Sequence, residues 1–121
     1  MTLLLIGVGG ALGSIARYLL STVIHRVTPT LFPIGTFTVN FVGCAAFGAI
    51  VGLAQERFLL RPEARAFLLI GVLGGFTTFS SFAFETFELL RDGQFAWAAL
   101  NIVGQVTAGM LGLWAGYVTA G

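Results

Sequence analysis

The chain has 121 residues, of which 57% are hydrophobic and only 9% charged, and its formal net charge is +1. Soluble domains carry roughly 25% charged residues, so this composition and a mean hydropathy of +0.96 indicate an integral membrane protein. The small net charge excludes the electrostatic attraction on which nucleic-acid binding depends. No Ser/His/Asp or metal-ligand constellation surrounds the single histidine, so we expect a bilayer protein and no enzyme.

Four apolar runs have about the length that crosses the hydrocarbon core, roughly 20 residues each. They cover residues 3–24, 34–54, 66–90 and 95–118. The linkers between them are short and leave no room for a soluble domain. The prediction is therefore one all-α transmembrane domain of four helices over residues 1–121.

Small residues recur four apart in the first and last spans. The first span contains Gly9 and Gly13, and the last contains Ala108, Gly112 and Gly116. This spacing lets membrane helices approach closely, which matters because lipid removes the hydrophobic drive for helix association. We expect tight packing within the unit.

Arg17 lies inside the first span, where a cation costs several kcal/mol unless it reaches water. Two interpretations remain open at this point. The side chain either extends to the interface or lines an aqueous mouth that attracts anions.

Amide side chains occur in the second and fourth spans. Asn40 lies several residues into the second span, and it either bridges helices or donates its NH₂ group to an anion that has shed water. Asn101 and Gln105 are four apart in the fourth span, so they share one helix face. For these two we expect hydrogen bonds to other helices.

The stretch 74–86 of the third span combines paired glycines, hydroxyls and phenylalanines. Gly74 and Gly75 weaken a helix, and the hydroxyls that follow offer the backbone other hydrogen-bond partners. Unwound backbone at bilayer depth is tolerated only where it is buried in protein or lines a cavity. The sequence therefore predicts a broken third helix with a binding or conduction site at the break.

Phe79 and Phe82 are three apart and share a face if the segment after the break is helical. They alternate with hydroxyl donors on Thr78, Ser80 and Ser81. Because an aromatic ring edge carries the positive part of the quadrupole, an anion can lie against it without a full counter-charge. Such a site suits a small anion that must bind and also leave.

A break also frees backbone carbonyl groups, and Gly74 and Thr77 are the candidates. Carbonyl oxygens suit hard cations, as in the broken helices of transporters. If two chains meet at their breaks, two carbonyls from each surround one small monovalent ion.

The distribution of arginines between the two sides of the membrane gives almost no bias toward one orientation of the four spans. Arg57, Arg61 and Arg65 lie on one side, and Arg26 and Arg91 on the other, joined by Arg17 if it extends that way. Orientation follows the Lys/Arg excess in short loops, which here is one or zero. A chain that inserts both ways can form an antiparallel, dual-topology homodimer.

Three stretches in this order and spacing resemble the Fluc or CrcB family of bacterial fluoride channels over essentially the whole chain. They are residues 9–18 (GGALGSIARY), 35–40 (GTFTVN) and 74–82 (GGFTTFSSF). The second and third are the specific ones.

The resemblance implies an antiparallel homodimer with two fluoride pores in the bacterial inner membrane, exporting F⁻ passively. It implies a structural Na⁺ held by the carbonyls of Gly74 and Thr77. It also implies that Phe79 and Phe82 contact fluoride with their ring edges, that Asn40 donates along the pore, and that Arg17 lies near the vestibule.

The fourth span departs from the aromatic and hydroxyl track of some family members. The corresponding positions here are Ile102, Val106 and Met110. We therefore expect Thr78, Ser80, Ser81 or Glu85 to supply polar groups for the outer part of the path.

Two other functions remain as alternatives. A proton-coupled exporter that resembles the small multidrug resistance proteins has similar length and pairing, but needs a carboxylate in the first span, and this chain has none there. Glu85 is the residue left to titrate. A non-conducting assembly subunit explains the glycines but leaves the hydroxyl and phenylalanine cluster without a role.

Overall fold

The computed structural model describes residues 1–56 and 60–121, apart from the side chain of Glu56. The elements are α1 (Thr2–Val27), α2 (Ile34–Glu56), α3 (Pro62–Arg65), a π-helix (Ala66–Leu73), α4 (Gly74–Phe76), α5 (Phe79–Arg91) and α6 (Phe95–Ala120). The third membrane span, Pro62–Arg91, runs from α3 to α5, so four spans are long and apolar enough to cross a membrane. The predicted all-α architecture of four spanning helices is confirmed.

The third span begins four residues earlier than the apolar run predicts. Pro62 occupies the first helical position, where its missing N–H costs nothing, and Glu63 in the first turn complements the helix dipole. Arg65 is consequently helical and not part of a linker. Arg57, which enters the predicted charge balance, lies outside the described residues.

The first half of the third span is widened before it breaks. Residues Ala66–Leu73 form a π-helix, and at its end the Gly74 N–H donates to the carbonyls of Gly71 and Leu69. Segments of π-helix are rare in proteins, and those that do occur are often found at functional sites. The sequence pattern contains no signal for this feature.

The break lies at Thr77 and Thr78, three residues beyond the glycine pair. Both have extended backbone, with φ/ψ of −86°/156° and −149°/115°. Gly75 remains helical because it packs on α1: a Cβ there would lie 2.6 Å from the carbonyl oxygen of Gly10. The predicted break is present, but the glycines provide close packing and the threonines provide the break.

The spans form two tightly packed pairs. The first half of the third span lies along α1, and α6 lies along α2. A Cβ at Gly13 would overlap the carbonyl oxygen of Val72, and one at Gly116 would overlap that of Ala45. The predicted close approach through small residues is confirmed in both pairs.

A tight turn joins α5 to α6 and sets them antiparallel. Gly93 has φ +75°, and the Gln94 N–H donates to the Leu89 carbonyl over 2.8 Å. This pattern ends α5 with a glycine in the left-handed region. It brings the polar residues of α6 beside those of α5.

Candidate functional site

The amide of Asn40 holds the backbone of the break. The Thr78 N–H donates to Asn40 Oδ1 over 2.9 Å, and Asn40 Nδ2 donates to the Thr78 carbonyl over 3.1 Å. Breaking a helix at membrane depth leaves the Thr78 N–H without its helical partner, the Gly74 carbonyl, and lipid supplies none. The Asn40 side chain from α2 supplies that acceptor and also donates to the Thr78 carbonyl.

The hydroxyl of Thr78 begins the helix that follows. Thr78 is the N-cap of α5, and its Oγ1 accepts a hydrogen bond from the Ser81 N–H over 3.2 Å. The same hydroxyl donates to Ser81 Oγ over 3.1 Å, and Ser80 Oγ lies 3.5 Å from it. The three hydroxyls predicted for the site therefore form one cluster at the start of α5.

A chain of hydrogen bonds, here called the amide relay, continues from Asn40 across α6 and back to α5. Asn40 Nδ2 donates to Gln105 Oε1, Gln105 Nε2 donates to Asn101 Oδ1, and Asn101 Nδ2 donates to Thr86 Oγ1, each over 2.9 Å. Thr86 donates to the Phe82 carbonyl over 2.8 Å. The predicted helix-to-helix role of Asn101 and Gln105 is confirmed.

The sequence did not show that Asn40 and Thr86 are the partners of these amides. The spacing of Asn101 and Gln105 placed them on one face, but a face does not identify the helix that it meets. The available signal was that each of three spans contains an amide or hydroxyl deep in an apolar run.

Phe79 and Phe82 lie together beside a groove of about 400 Å³. Their ring centroids are 5.6 Å apart with the planes tilted by 56°. Asn40 and Gln105 line the same groove, so the rings and the amides lie around one cavity. Phe79 is 78% exposed in the single chain, whereas Phe82 is half-buried.

Arg17 lines a second cavity, of about 230 Å³. Its Nε is buried and has no hydrogen-bond partner among the described residues. Polar groups of Ser21, Thr36 and Ser81 line the same cavity. Of the two interpretations left open for Arg17, this geometry favours the one in which it faces a polar cavity.

Two residues each line two neighbouring cavities. Thr78 lines both the groove and the Arg17 cavity. Glu85 lines the Arg17 cavity and a third cavity of about 250 Å³, which His25, Glu88 and Asp92 also line near the end of α5. The three cavities are therefore neighbours between the end of α5 and the break.

The break also redirects the amides that would bond to Gly74 and Thr77 in a continuous helix. Those amides belong to Thr78 and Ser81, and they donate to Asn40 Oδ1 and Thr78 Oγ1 instead. Gly74 and Thr77 both line the groove. Their carbonyl oxygens suit a hard monovalent cation.

The apolar side chains of α6 named above lie on its outer face. Ile102, Val106 and Met110 are 43%, 58% and 71% exposed, and Val106 lines the groove. Two polar side chains of α6 at this depth, Asn101 and Gln105, form hydrogen bonds with α5 and α2. In this chain the fourth span contributes amides to the site.

A protein-family model described as "CrcB-like protein, Camphor Resistance (CrcB)" matches residues 4–117. Among curated proteins, the chain is 52% identical over 106 residues to a "Fluoride-specific ion channel FluC" of Maridesulfovibrio salexigens. That alignment covers 88% of this chain and 84% of the relative.

Two further relatives with the same name align over almost the whole chain. One, from Nitratidesulfovibrio vulgaris, is 46% identical and covers 97% of this chain and 94% of its own length. The other, from Geobacter sulfurreducens, is 45% identical, and its alignment covers 98% of this chain and 96% of the relative. With its four spans and these bacterial relatives, the chain is a multi-pass bacterial membrane protein that belongs to the CrcB family.

Proposed function

We propose that this chain forms a fluoride-selective channel that exports F⁻ passively, as an antiparallel homodimer with a structural Na⁺ between the protomers. Relatives that align over most of the chain are named fluoride-specific ion channels. This naming supports transport of an ion over catalysis.

The observation that carries the proposal is the meeting of two cavities at Thr78. Arg17 lines one cavity, which Glu85 also lines, and supplies a positive charge there. Phe79, Phe82 and Asn40 line the other, with aromatic rings and an amide whose N–H groups are bonded to Thr78 and Gln105. The ring edges hold a small anion weakly enough for it to leave. Among the described residues, no arginine lines the groove itself. A charged guanidinium there would bind the anion too strongly for it to leave.

Passive export needs no coupled ion. An inside-negative potential supplies about 2.3 kcal/mol per charge per 100 mV, which maintains about a fiftyfold concentration ratio. Selection against chloride follows from size and hydrogen bonding, since the smaller anion accepts shorter and stronger hydrogen bonds.

The homodimer is supported by the groups that a single chain leaves facing the groove. The carbonyls of Gly74 and Thr77 lack their helical amides, and an unsatisfied carbonyl in lipid costs several kcal/mol. A second copy seated on the groove covers them and Phe79. Four carbonyls, two from each copy, would then hold Na⁺. The ion would tie the protomers together and add a positive charge near the path of the anion.

Efflux from liposomes tests the function. Purified protein in vesicles loaded with potassium fluoride should release F⁻ to an external electrode when valinomycin carries K⁺, and release should continue without a proton gradient. Chloride-loaded vesicles of the same preparation should release at least a hundredfold less. Comparable chloride and fluoride rates would contradict selectivity.

Cysteine labelling tests the assembly. In a Cys44→Ala background, Thr28→Cys places one thiol in the exposed loop between α1 and α2. In inside-out membrane vesicles from the expressing cells, where insertion during synthesis sets the orientation, a membrane-impermeant maleimide should label half of the copies, and all of them after detergent. Labelling of all or none in sealed vesicles would mean parallel protomers.

Proton-coupled export is the second candidate, and Glu85 is the observation in its favour. Glu85 lines two cavities, and its Oε1 is buried with no hydrogen-bond partner among the described residues. An exchanger requires this carboxylate, so Glu85→Gln would abolish its transport. In the channel, fluoride efflux at zero proton gradient should remain in that variant.

A further inference from the structure

The backbone of Thr78 determines the orientation of the Asn40 amide. Asn40 Oδ1 must face the Thr78 N–H, and Nδ2 must face the Thr78 carbonyl, because a flipped amide would set donor against donor and acceptor against acceptor. The second hydrogen of Nδ2 therefore points away from the break. It is donated to Gln105 Oε1 over 2.9 Å.

The orientation of Asn40 propagates along the amide relay. Since Gln105 accepts with Oε1, its Nε2 must donate, and it does so to Asn101 Oδ1. Asn101 must then donate with Nδ2, which it does to Thr86 Oγ1, leaving the Thr86 proton for the Phe82 carbonyl. The donor-to-acceptor order is therefore the same at every step of the relay, from Asn40 to the Phe82 carbonyl.

This polarity leaves Asn40 with no idle donor. One hydrogen of Nδ2 is on a backbone carbonyl, and the other is on the side chain of Gln105. Of these two acceptors, only the Gln105 side chain can move away from Asn40 without a movement of the backbone. Gln105 is half-buried and lines the groove beside Phe82, whereas Asn101 is fully buried behind it.

We propose that Gln105 determines anion specificity, because its Oε1 competes with the anion for the Asn40 donor. The inference rests on the proposed function. A permeating anion binds Asn40 by displacing the carbonyl oxygen of Gln105, which returns when the anion leaves. When no anion is bound, the neutral Oε1 of Gln105 accepts the hydrogen bond that Asn40 would donate to the anion.

The exchange favours fluoride for a physical reason. A hydrogen bond to an ion is roughly twice as strong as one between neutral groups, so an anion that accepts strongly displaces Gln105. Chloride is larger, with a lower charge density, and accepts more weakly. Because one hydrogen bond is replaced by another, binding stays weak enough for the anion to leave.

Gln105→Met tests the proposal, since it preserves length and removes the acceptor toward Asn40, together with the donor to Asn101. The Asn40 donor is then always free. We expect the fluoride concentration that gives half-maximal efflux to fall threefold or more, and the ratio of chloride to fluoride flux to rise at least threefold. Gln105→Glu places a permanent, charged acceptor on Asn40, so its fluoride flux should fall at least tenfold.

Gln55→Met is the matched control. Gln55 also accepts one side-chain hydrogen bond, from the Tyr117 hydroxyl, but it lies at the exposed end of α2 away from the groove. Its half-saturating concentration and selectivity should equal those of the wild type. Size-exclusion profiles of all variants show whether each folds, and Gln105→Asn, whose amide is too short to reach Asn40, replaces the Met variant if that one does not.

Two outcomes separate the failures. Wild-type protein that carries no fluoride would overturn the proposed function, and this inference with it. Wild-type flux with unchanged half-saturation and selectivity in Gln105→Met, or a loss of flux alone in both Gln105 variants, would overturn the inference and leave the channel. The second pattern would mean that Gln105 only supports Asn40.

Discussion

The two halves of the third span are held in the bundle by different means. The half before the break, up to Phe76, packs its backbone on α1 through glycines such as Gly13 and Gly75. The half after the break, α5, is held by side-chain hydrogen bonds from Asn40 and Asn101. One half depends on small size and the other on donors and acceptors.

This difference follows from the membrane as solvent. Apolar side chains gain little by meeting each other there, so a helix is held by close backbone approach or by polar contacts. Close approach leaves the first half little room to shift against α1, since a Cβ at Gly75 would lie 2.6 Å from the Gly10 carbonyl oxygen. The second half depends instead on individual hydrogen bonds, such as the one that the Thr78 N–H donates to Asn40.

The largest expected effect tests the glycine-packed half. In Gly13→Ala the new methyl overlaps the Val72 carbonyl, so the bundle must open, at a cost of about 1–3 kcal/mol or more. We expect a lower thermal midpoint and an aggregated size-exclusion profile in detergent. Gly7→Ala is the control, because nothing lies within 4 Å of its added Cβ. Equal stability of the two variants would refute glycine packing here.

The next effect tests the hydrogen-bonded half. Asn40→Asp keeps an acceptor for the Thr78 N–H but loses the donors to the Thr78 carbonyl and to Gln105. A carboxylate offers an anion no N–H donor and repels it when charged, so fluoride efflux should fall about tenfold to a hundredfold, as a loss of about 1–3 kcal/mol would give. Size exclusion should stay close to the wild type. Unchanged flux would remove Asn40 from the pathway.

The smallest effect concerns the aromatic edges. Phe82→Ile removes a ring that lines the groove while keeping an apolar side chain. A ring contact contributes about 0.5–1.5 kcal/mol, so we expect fluoride efflux to fall about twofold to tenfold. Phe84→Ile, on the same helix at a 57% exposed position, is the control and should leave efflux unchanged. If both variants behave alike, Phe82 has only a packing role.

Much of the site was predictable because its signals are local. Paired glycines followed by Thr77 and Thr78 predicted a break, and the spacing of Phe79 and Phe82 predicted a shared face. The exact place of the break was not predictable. It depends on Gly75 meeting Gly10 of another helix, and a contact 65 residues away leaves no trace in local periodicity.

By itself, the sequence determined the four membrane spans, the presence of a break in the third and the residues gathered there, because span length and residue chemistry are properties of each segment. The tertiary structure decided what those residues do to one another. It turned Asn40 toward Thr78, linked Gln105 through Asn101 to Thr86, and placed Thr78 in the lining of both the Arg17 cavity and the groove. Hydrogen-bond direction depends on which helices meet and at what depth, and only packing sets that.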